Sequence, residues 1–292
     1  MTELPKPQTK TARLPDGRTL AYVETGDPDG APVFAFHGLP GSRLQRHPDD
    51  EVAHSAGLRI IHPDRPGFGL SSRQSRRSIA NWPRDVAALA DTLGLERFAI
   101  TGVSGGGPYA AACLTMLGSR IQRAAIVSSV GPPGSMHGHM AIAARLGFFM
   151  AAHTAWAARA SAASIMPFVV RSPDHYLDVL AAHMAPPDRP ILARPRIRAM
   201  LAQDLREAFR QGVDALVEDL GLLARPWGFG WDGVECPVAL WHGEDDWMIP
   251  PSASRHLAAA IPGARAHMLP REAHFLIFDH WPEICGFLAG AG

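Results

Sequence analysis

Apolar and polar residues alternate over residues 11–25 on either side of Asp16-Gly17, a dipeptide that supplies the positive backbone angles of a tight hairpin turn. The chain is therefore expected to open with two strands. Short apolar runs follow at 33–36, 58–61, 98–100 and 124–127, the pattern of parallel strands covered on both faces. Between them, residues 79–94 place Val86, Leu89, Ala90 and Leu93 at helical spacing, and 106–117 form a small-residue apolar segment. Strand and helix in alternation predict a right-handed α/β sheet.

That rhythm stops at Gly131-Pro132-Pro133-Gly134, after which helix-like segments separated by prolines run for about a hundred residues. Strand character returns at 237–241, followed by a helix near 251–261, a strand near 264–269 and an amphipathic helix over 276–289. This organisation predicts a core domain of residues 1–130 and 236–292, with 131–235 inserted as a helical cap.

Composition narrows the function classes. A 292-residue chain with 47% apolar and 19% charged residues can bury one large core or a core with an insertion, which excludes a disordered chain. Its 28 basic and 28 acidic residues cancel, so no global field favours a nucleic-acid partner or an acidic membrane. Lys6 and Lys10 are the only lysines, which argues against Schiff-base chemistry and against a phosphate-loop lysine. Cys113, Cys236 and Cys285 are too few and too scattered for a disulfide framework or a thiolate zinc cage. The first residues carry no apolar run of signal-peptide length, and Arg145 and Arg159 interrupt the most apolar later stretches. A cytoplasmic protein without stable membrane insertion is expected.

The chemistry begins at Thr101-Gly102-Val103-Ser104-Gly105-Gly106, where a serine stands between glycines as a buried strand gives way to a helix. This G-x-S-x-G turn is the nucleophile elbow: Gly102 and Gly106 lack the side chains that would block the tight passage of strand and helix. The helix start aims N–H groups and a positive dipole end at the serine, making Gly105 N–H a candidate oxyanion donor. A nucleotide-binding G-x-G-x-x-G turn is the alternative, but Ser104 stands where its second glycine is required. A second donor is expected from Phe36-His37-Gly38-Leu39-Pro40-Gly41, directly after the strand at 33–36, with Leu39 N–H the candidate and His37 shaping the turn.

No aspartate or glutamate occurs from Arg97 through Pro173, so a carboxylate cannot follow the strand near 127. It must come from Gly243-Glu244-Asp245-Asp246, where Asp246 fits best and Asp245 is the runner-up, unless the cluster is only a solvated acidic turn. Pro270-Arg271-Glu272-Ala273-His274-Phe275 then supplies a histidine just before the last helix, whereas His267 falls in a strand and His280 in the helix. Ser104, Asp246 and His274 lie in the chain order that an acyl-transfer triad uses on an α/β sheet.

In this order of elbow, His-Gly loop, late aspartate and final histidine, the chain resembles the α/β-hydrolase fold family over nearly its whole length. Asp64-Arg65-Pro66-Gly67-Phe68-Gly69-Leu70-Ser71 is similar to a D-x-x-G-x-G-x-S turn of its capped members, with a structural role. Two features set the chain apart: Ala273 stands where the family usually has glycine, and Ser104 replaces the elbow aspartate of haloalkane dehalogenases and epoxide hydrolases. The resemblance implies a mostly parallel sheet flanked by helices, an inserted cap, and an acyl-serine intermediate.

The apolar segment 140–170 could roof a pocket or lie on a membrane surface, lid packing being favoured. Arg189, Arg194, Arg196, Arg198, Arg206 and Arg210 could attract a carboxylate-bearing substrate or form a solvated helix face, the solvated face being favoured. No zinc, calcium or phosphate motif is present, and His137-Gly138-His139 has no neighbouring carboxylate in sequence, so neither a metal nor a cofactor is expected. The expected function is a serine hydrolase acting on a small or medium ester, lactone or related acyl compound. Peptidase, thioesterase, carbon–carbon bond hydrolase and cofactor-free perhydrolase reactions use the same machinery, and a non-catalytic ligand receptor is the alternative of another class.

Overall fold

The structure is a computed structural model that describes residues 4–138 and 140–290, so His139 of the His137-Gly138-His139 run lies outside the described residues. The chain opens with β1 (Lys10–Arg13) and β2 (Thr19–Gly26), antiparallel about the Asp16-Gly17 turn, where Gly17 has a φ of 85°. Next come β3 (Ala31–Phe36), α1 (Glu51–Ser55), β4 (Leu58–Pro63), α2 (Trp82–Thr92), β5 (Phe98–Val103), α3 (Gly107–Leu117) and β6 (Ile121–Val127). Among the described residues, six helices lie between β6 and the next strand: α4 (Ile142–His153), α5 (Ala155–Arg171), α6 (Pro173–His183), α7 (Asp188–Leu192), α8 (Pro195–Ala208) and α9 (Asp214–Leu223). The chain closes with β7 (Val238–Gly243), α10 (Ser252–Ala260), β8 (Arg265–Leu269) and α11 (Ile277–Ala289).

The strands form one sheet in the order β1-β2-β4-β3-β5-β6-β7-β8, parallel from β4 through β8. Its central strands are buried on both sides, which is why they read as continuous apolar runs. On one face Phe34, Phe36 and Ile100 pack with Trp82, Val86 and Leu89 of α2 and with α3. On the other, Val33, Ile60, Ala99 and Val127 meet Ala53 of α1 and Ile284 and Leu288 of α11. The six-helix insertion has its own apolar centre, including Leu177, Leu192, Met200 and Leu205, and Phe275 and Phe278 of the core pack against it.

Chain direction across the sheet reverses between β3 and β5: β3 connects outward to β4, while β5 continues to β6 on the opposite side. The loops leaving the carboxyl ends of these two neighbours diverge and leave a crevice, the place where open α/β sheets bind ligands. The insertion lies between β6 and β7 in the chain. No helix among the described residues is long and apolar enough to cross a membrane.

Candidate active site

Ser104 follows β5 directly at the crevice, with a φ of 53°, a left-handed backbone that a serine adopts only where its surroundings enforce it. The glycines around it explain the enforcement. A Cβ built on Gly102 would meet the Gly106 carbonyl oxygen at 2.5 Å, and one on Gly106 would meet the Phe36 carbonyl oxygen at 2.2 Å. Strand β5, the helix start and β3 therefore approach more closely than side chains permit. A Cβ on Gly105 would lie 3.5 Å from the Leu39 nitrogen, so the two backbone segments expected to supply N–H groups are neighbours beside Ser104.

The loop carrying Leu39 is held by two sets of contacts. Arg65, fully buried, donates to the His37 carbonyl and to the Gly38 carbonyl at 2.9 Å, with its guanidinium 4.7 Å from the Tyr109 ring centre. The His37 ring donates from Nδ1 to Gly38 O at 2.9 Å and accepts the Arg65 N–H at Nε2, 3.2 Å away. Burial and the Arg65 charge push His37 well below the ordinary histidine range, leaving a neutral ring that shapes the turn. From the other side, Asp204 of α8 accepts the Ser42 N–H at 2.7 Å, the Ser42 hydroxyl at 2.6 Å and Gln45 Nε2 at 3.0 Å, while Gln45 Oε1 accepts Gly38 N–H.

At the far end of the sheet, Asp246 follows β7 and His274 follows β8, and both are buried. His274 Nδ1 lies 2.7 Å from Asp246 Oδ2, and Asp246 Oδ1 accepts the N–H groups of Met248 and Ile249 at 2.8 and 2.9 Å. Asp245 is exposed, and Glu244 pairs with Arg255 at the surface. Burial alone would raise the Asp246 carboxyl, but His274 and His242 hold it well below the usual range. Burial alone would lower His274, yet the Asp246 charge and hydrogen bond, joined by the Asp188 charge, raise it above its ordinary value. The position after β6 holds the buried Ser128, Ser129 and Val130 and no acid. Ala273 accommodates its methyl at 1% exposure; the requirement for a bare Cα falls instead on Gly243, whose Cβ would meet the Glu272 carbonyl oxygen at 2.3 Å.

Ser104, His274, Leu39 and Asp204 line one cavity of about 150 Å³ between the insertion and the core. The lining is mostly apolar, from Leu177, Leu201 and Leu205 of the insertion to Phe275 and Trp281 of the core. A serine in an enforced conformation, an imidazole anchored by a carboxylate, and adjacent backbone N–H groups beside an apolar cavity suit acyl transfer. Among the described residues no group of histidine, cysteine, aspartate and glutamate is arranged to hold a metal ion.

Three contributors were not singled out from the sequence. Asp188, at the start of α7, accepts the N–H groups of His274 and Phe275 at 3.2 and 2.8 Å; burial pushes it up to about 6. His242 sits 3.3 Å from Asp246 Oδ2 and is fixed by Ser254 and the Ile249 carbonyl. Asp204 is described above. Asp188 and Asp204 lie far along the chain from their partners, 86 residues separating Asp188 from His274 and 162 separating Ser42 from Asp204, whereas His242 stands only four residues before Asp246 and was hidden by its place inside a buried strand. The Asp64 turn is structural: Asp64 accepts Arg43 N–H at 2.6 Å, Arg43 Nη1 at 2.7 Å and Leu70 N–H at 2.9 Å. The insertion's arginines are engaged at its surface, Arg194 with Asp279 and Arg198 with Asp178.

The chain belongs to the alpha/beta hydrolase fold family, whose model matches residues 31–280. It is 28% identical over 264 residues to a 2-hydroxymuconate semialdehyde hydrolase of Pseudomonas putida, covering 86% of this chain and 83% of that protein. Among solved structures, an alpha/beta hydrolase fold protein from Nakamurella multipartita superposes with a TM-score of 0.71 at 22% identity, covering 98% of this chain and 100% of that one. An esterase from Rhodococcus sp. ECU1013 does so with a TM-score of 0.68 at 21% identity, covering 97% and 99%.

Proposed function

We propose that this protein is a serine hydrolase that cleaves small or medium acyl compounds, esters first among them, with the insertion serving as its cap. The observation that carries the reading is the buried His274–Asp246 pair at 2.7 Å, opening onto the same cavity as the strained Ser104.

In this reading His274 Nε2 takes the Ser104 hydroxyl proton as Oγ attacks the substrate carbonyl carbon. The negative charge that develops on the carbonyl oxygen meets the N–H groups of Leu39 and Gly105. Asp246 accepts from His274 Nδ1, fixing the tautomer and stabilising the imidazolium. Collapse of the tetrahedral adduct breaks the bond to the leaving group, which takes the proton from His274, and Ser104 keeps the acyl group. Water then gives its proton to His274, adds to the acyl carbon, and releases the acid with Ser104 restored. The similarity to a 2-hydroxymuconate semialdehyde hydrolase supports hydrolysis of a carbon–carbon bond next to a carbonyl as a second reading.

The test is intact-mass labelling with a fluorophosphonate, alongside hydrolysis of p-nitrophenyl esters. Wild type should gain one phosphonyl group and turn over esters, and Ser104→Ala and His274→Ala should lose both. A wild type that neither labels nor cleaves any ester would overturn the reading in favour of a ligand receptor.

A further inference from the structure

The cavity runs past Ser104 along the sheet face covered by α1 and α11. Alternation along the strands puts Val33, Ile60 and Ala99 on that face, and the same period carries Ala35, His62 and Thr101 there two residues further on. Ala35, His62, Thr101 and Arg46 all line the cavity. At this pole an otherwise apolar lining turns polar, and three of its polar atoms lack partners among the described residues.

Arg46 Nε, His62 Nδ1 and Thr101 Oγ1 are buried with no hydrogen-bond partner among the described residues. The three residues are 7%, 4% and 3% exposed, so bulk water does not supply the missing partner. His62 Nε2 is occupied by Thr25 Oγ1 at 3.0 Å, which lets Nδ1 carry the ring proton; burial and the Arg46 charge lower His62 to about 3, so the ring stays neutral. The Arg46 guanidinium is under-compensated: Nη2 donates to the Pro5 carbonyl at 2.9 Å, and the carboxylate paired with it, Asp50, stands 3.8 Å away and half exposed. Arg196 adds a second positive charge nearby. The cavity's buried carboxylate, Asp204, is taken up by Ser42 and Gln45.

We infer that Arg46, His62 and Thr101 form an anion-accepting pole of this cavity, which selects acyl substrates whose acyl chain ends in a carboxylate. The inference rests on the serine-hydrolase reading for its reaction and not for its binding. Three unpartnered donors on side chains that line one cavity, one of them cationic, match the lone pairs of a carboxylate, and burial makes a neutral methyl end there unfavourable. Thr101 lies three residues before Ser104 on β5, about 10 Å at strand rise, which suits an acyl chain of roughly six carbons.

The closing experiment pairs turnover with binding. Wild type should cleave the mono-p-nitrophenyl ester of adipate with a kcat/KM about tenfold or more above that for p-nitrophenyl hexanoate. Arg46→Met should reduce that preference about tenfold to a hundredfold through KM, and Arg46→Lys should keep part of it. Independently of turnover, Ser104→Ala protein should bind free adipate in calorimetry, and Ser104→Ala with Arg46→Met should bind it about tenfold or more weakly. Adipate that fails to bind, or binds equally without Arg46, overturns the anion pole while ester turnover and Ser104 labelling leave the hydrolase reading standing. Arg46-dependent binding by a protein that labels with nothing and cleaves nothing has the opposite meaning: the pole stands and the hydrolase reading falls.

Discussion

At the scale of single residues, charge around His274 sets the pH dependence that the proposed reaction should show. Asp246 and Asp188 both favour the imidazolium and hold the ring above its ordinary value of 6.5 against the opposing effect of burial. Only the neutral ring can take the serine proton, so kcat/KM should rise with pH through an apparent pKa above 6.5 and fall below it. Asp246→Asn removes the closest charge and presents the wrong partner to Nδ1; activity should drop by about four orders of magnitude in a pH-rate series. Asp188→Asn removes the charge and leaves one acceptor oxygen where the His274 and Phe275 N–H groups use separate oxygens, so its acid limb should move to lower pH and one of the two N–H groups should lose its partner. Asp204 couples pH to stability instead. Burial, offset in part by Ser42 and Gln45, pushes its carboxyl up to about 7 from 3.8. Between those values the folded state holds a proton that the unfolded chain has released, so this contribution is complete below 3.8 and lost as pH rises through about 7. Urea unfolding of Asp204→Asn should show a flatter decline over that range than wild type.

At the scale of elements, the site depends on how closely β5, β3 and the start of α3 approach. Gly106→Ala would press a methyl to 2.2 Å from the Phe36 carbonyl oxygen, backbone that cannot swing aside, and should cost about 3 kcal/mol in urea unfolding. Gly147, inside α4, has open space at its Cβ position, so Gly147→Ala should raise stability by up to about 1 kcal/mol. The contrast explains what the sequence discloses. The elbow glycines, the buried strands and the carboxylate-free stretch before Pro173 are local signals, and the structure places Ser104, Asp246 and His274 at the carboxyl ends of β5, β7 and β8. Helix α1, only five residues long, was not anticipated because it is too short to carry a periodic pattern. Asp188, Asp204 and the clamp of Arg65 on the His37 loop were hidden for a different reason. Their roles come from contacts between the insertion or a distant turn and the core, and a composition of mixed arginine and aspartate looks the same whether solvated or buried.

At the scale of the whole molecule, the insertion and the core are joined by a buried polar knot as well as by apolar packing. Asp219 of α9 is fully buried, accepts Arg65 Nε at 3.0 Å and the Tyr109 hydroxyl at 2.7 Å, and contacts Arg77. Through Arg65 the same knot reaches the carbonyls of His37 and Gly38, and so the loop that presents Leu39 beside Ser104. Taking Asp219 away leaves the Arg65 guanidinium buried without its counter-charge and Arg77 with only the partly exposed Glu218, a loss of about 3–5 kcal/mol, far beyond the worth of a solvated pair. Arg194 and Asp279 give the comparison, since they also tie the insertion to the core but are 46% and 36% exposed. Asp279→Ala should therefore cost at most about 1 kcal/mol in urea unfolding and leave ester turnover near wild type. Asp219→Ala should lower both together: stability because the charges are stranded, and kcat because Arg65 no longer has a fixed position from which to hold the His37 loop. If Asp219→Ala unfolds at the wild-type midpoint, or loses stability while keeping full kcat, the knot is not what holds that loop in register with Ser104.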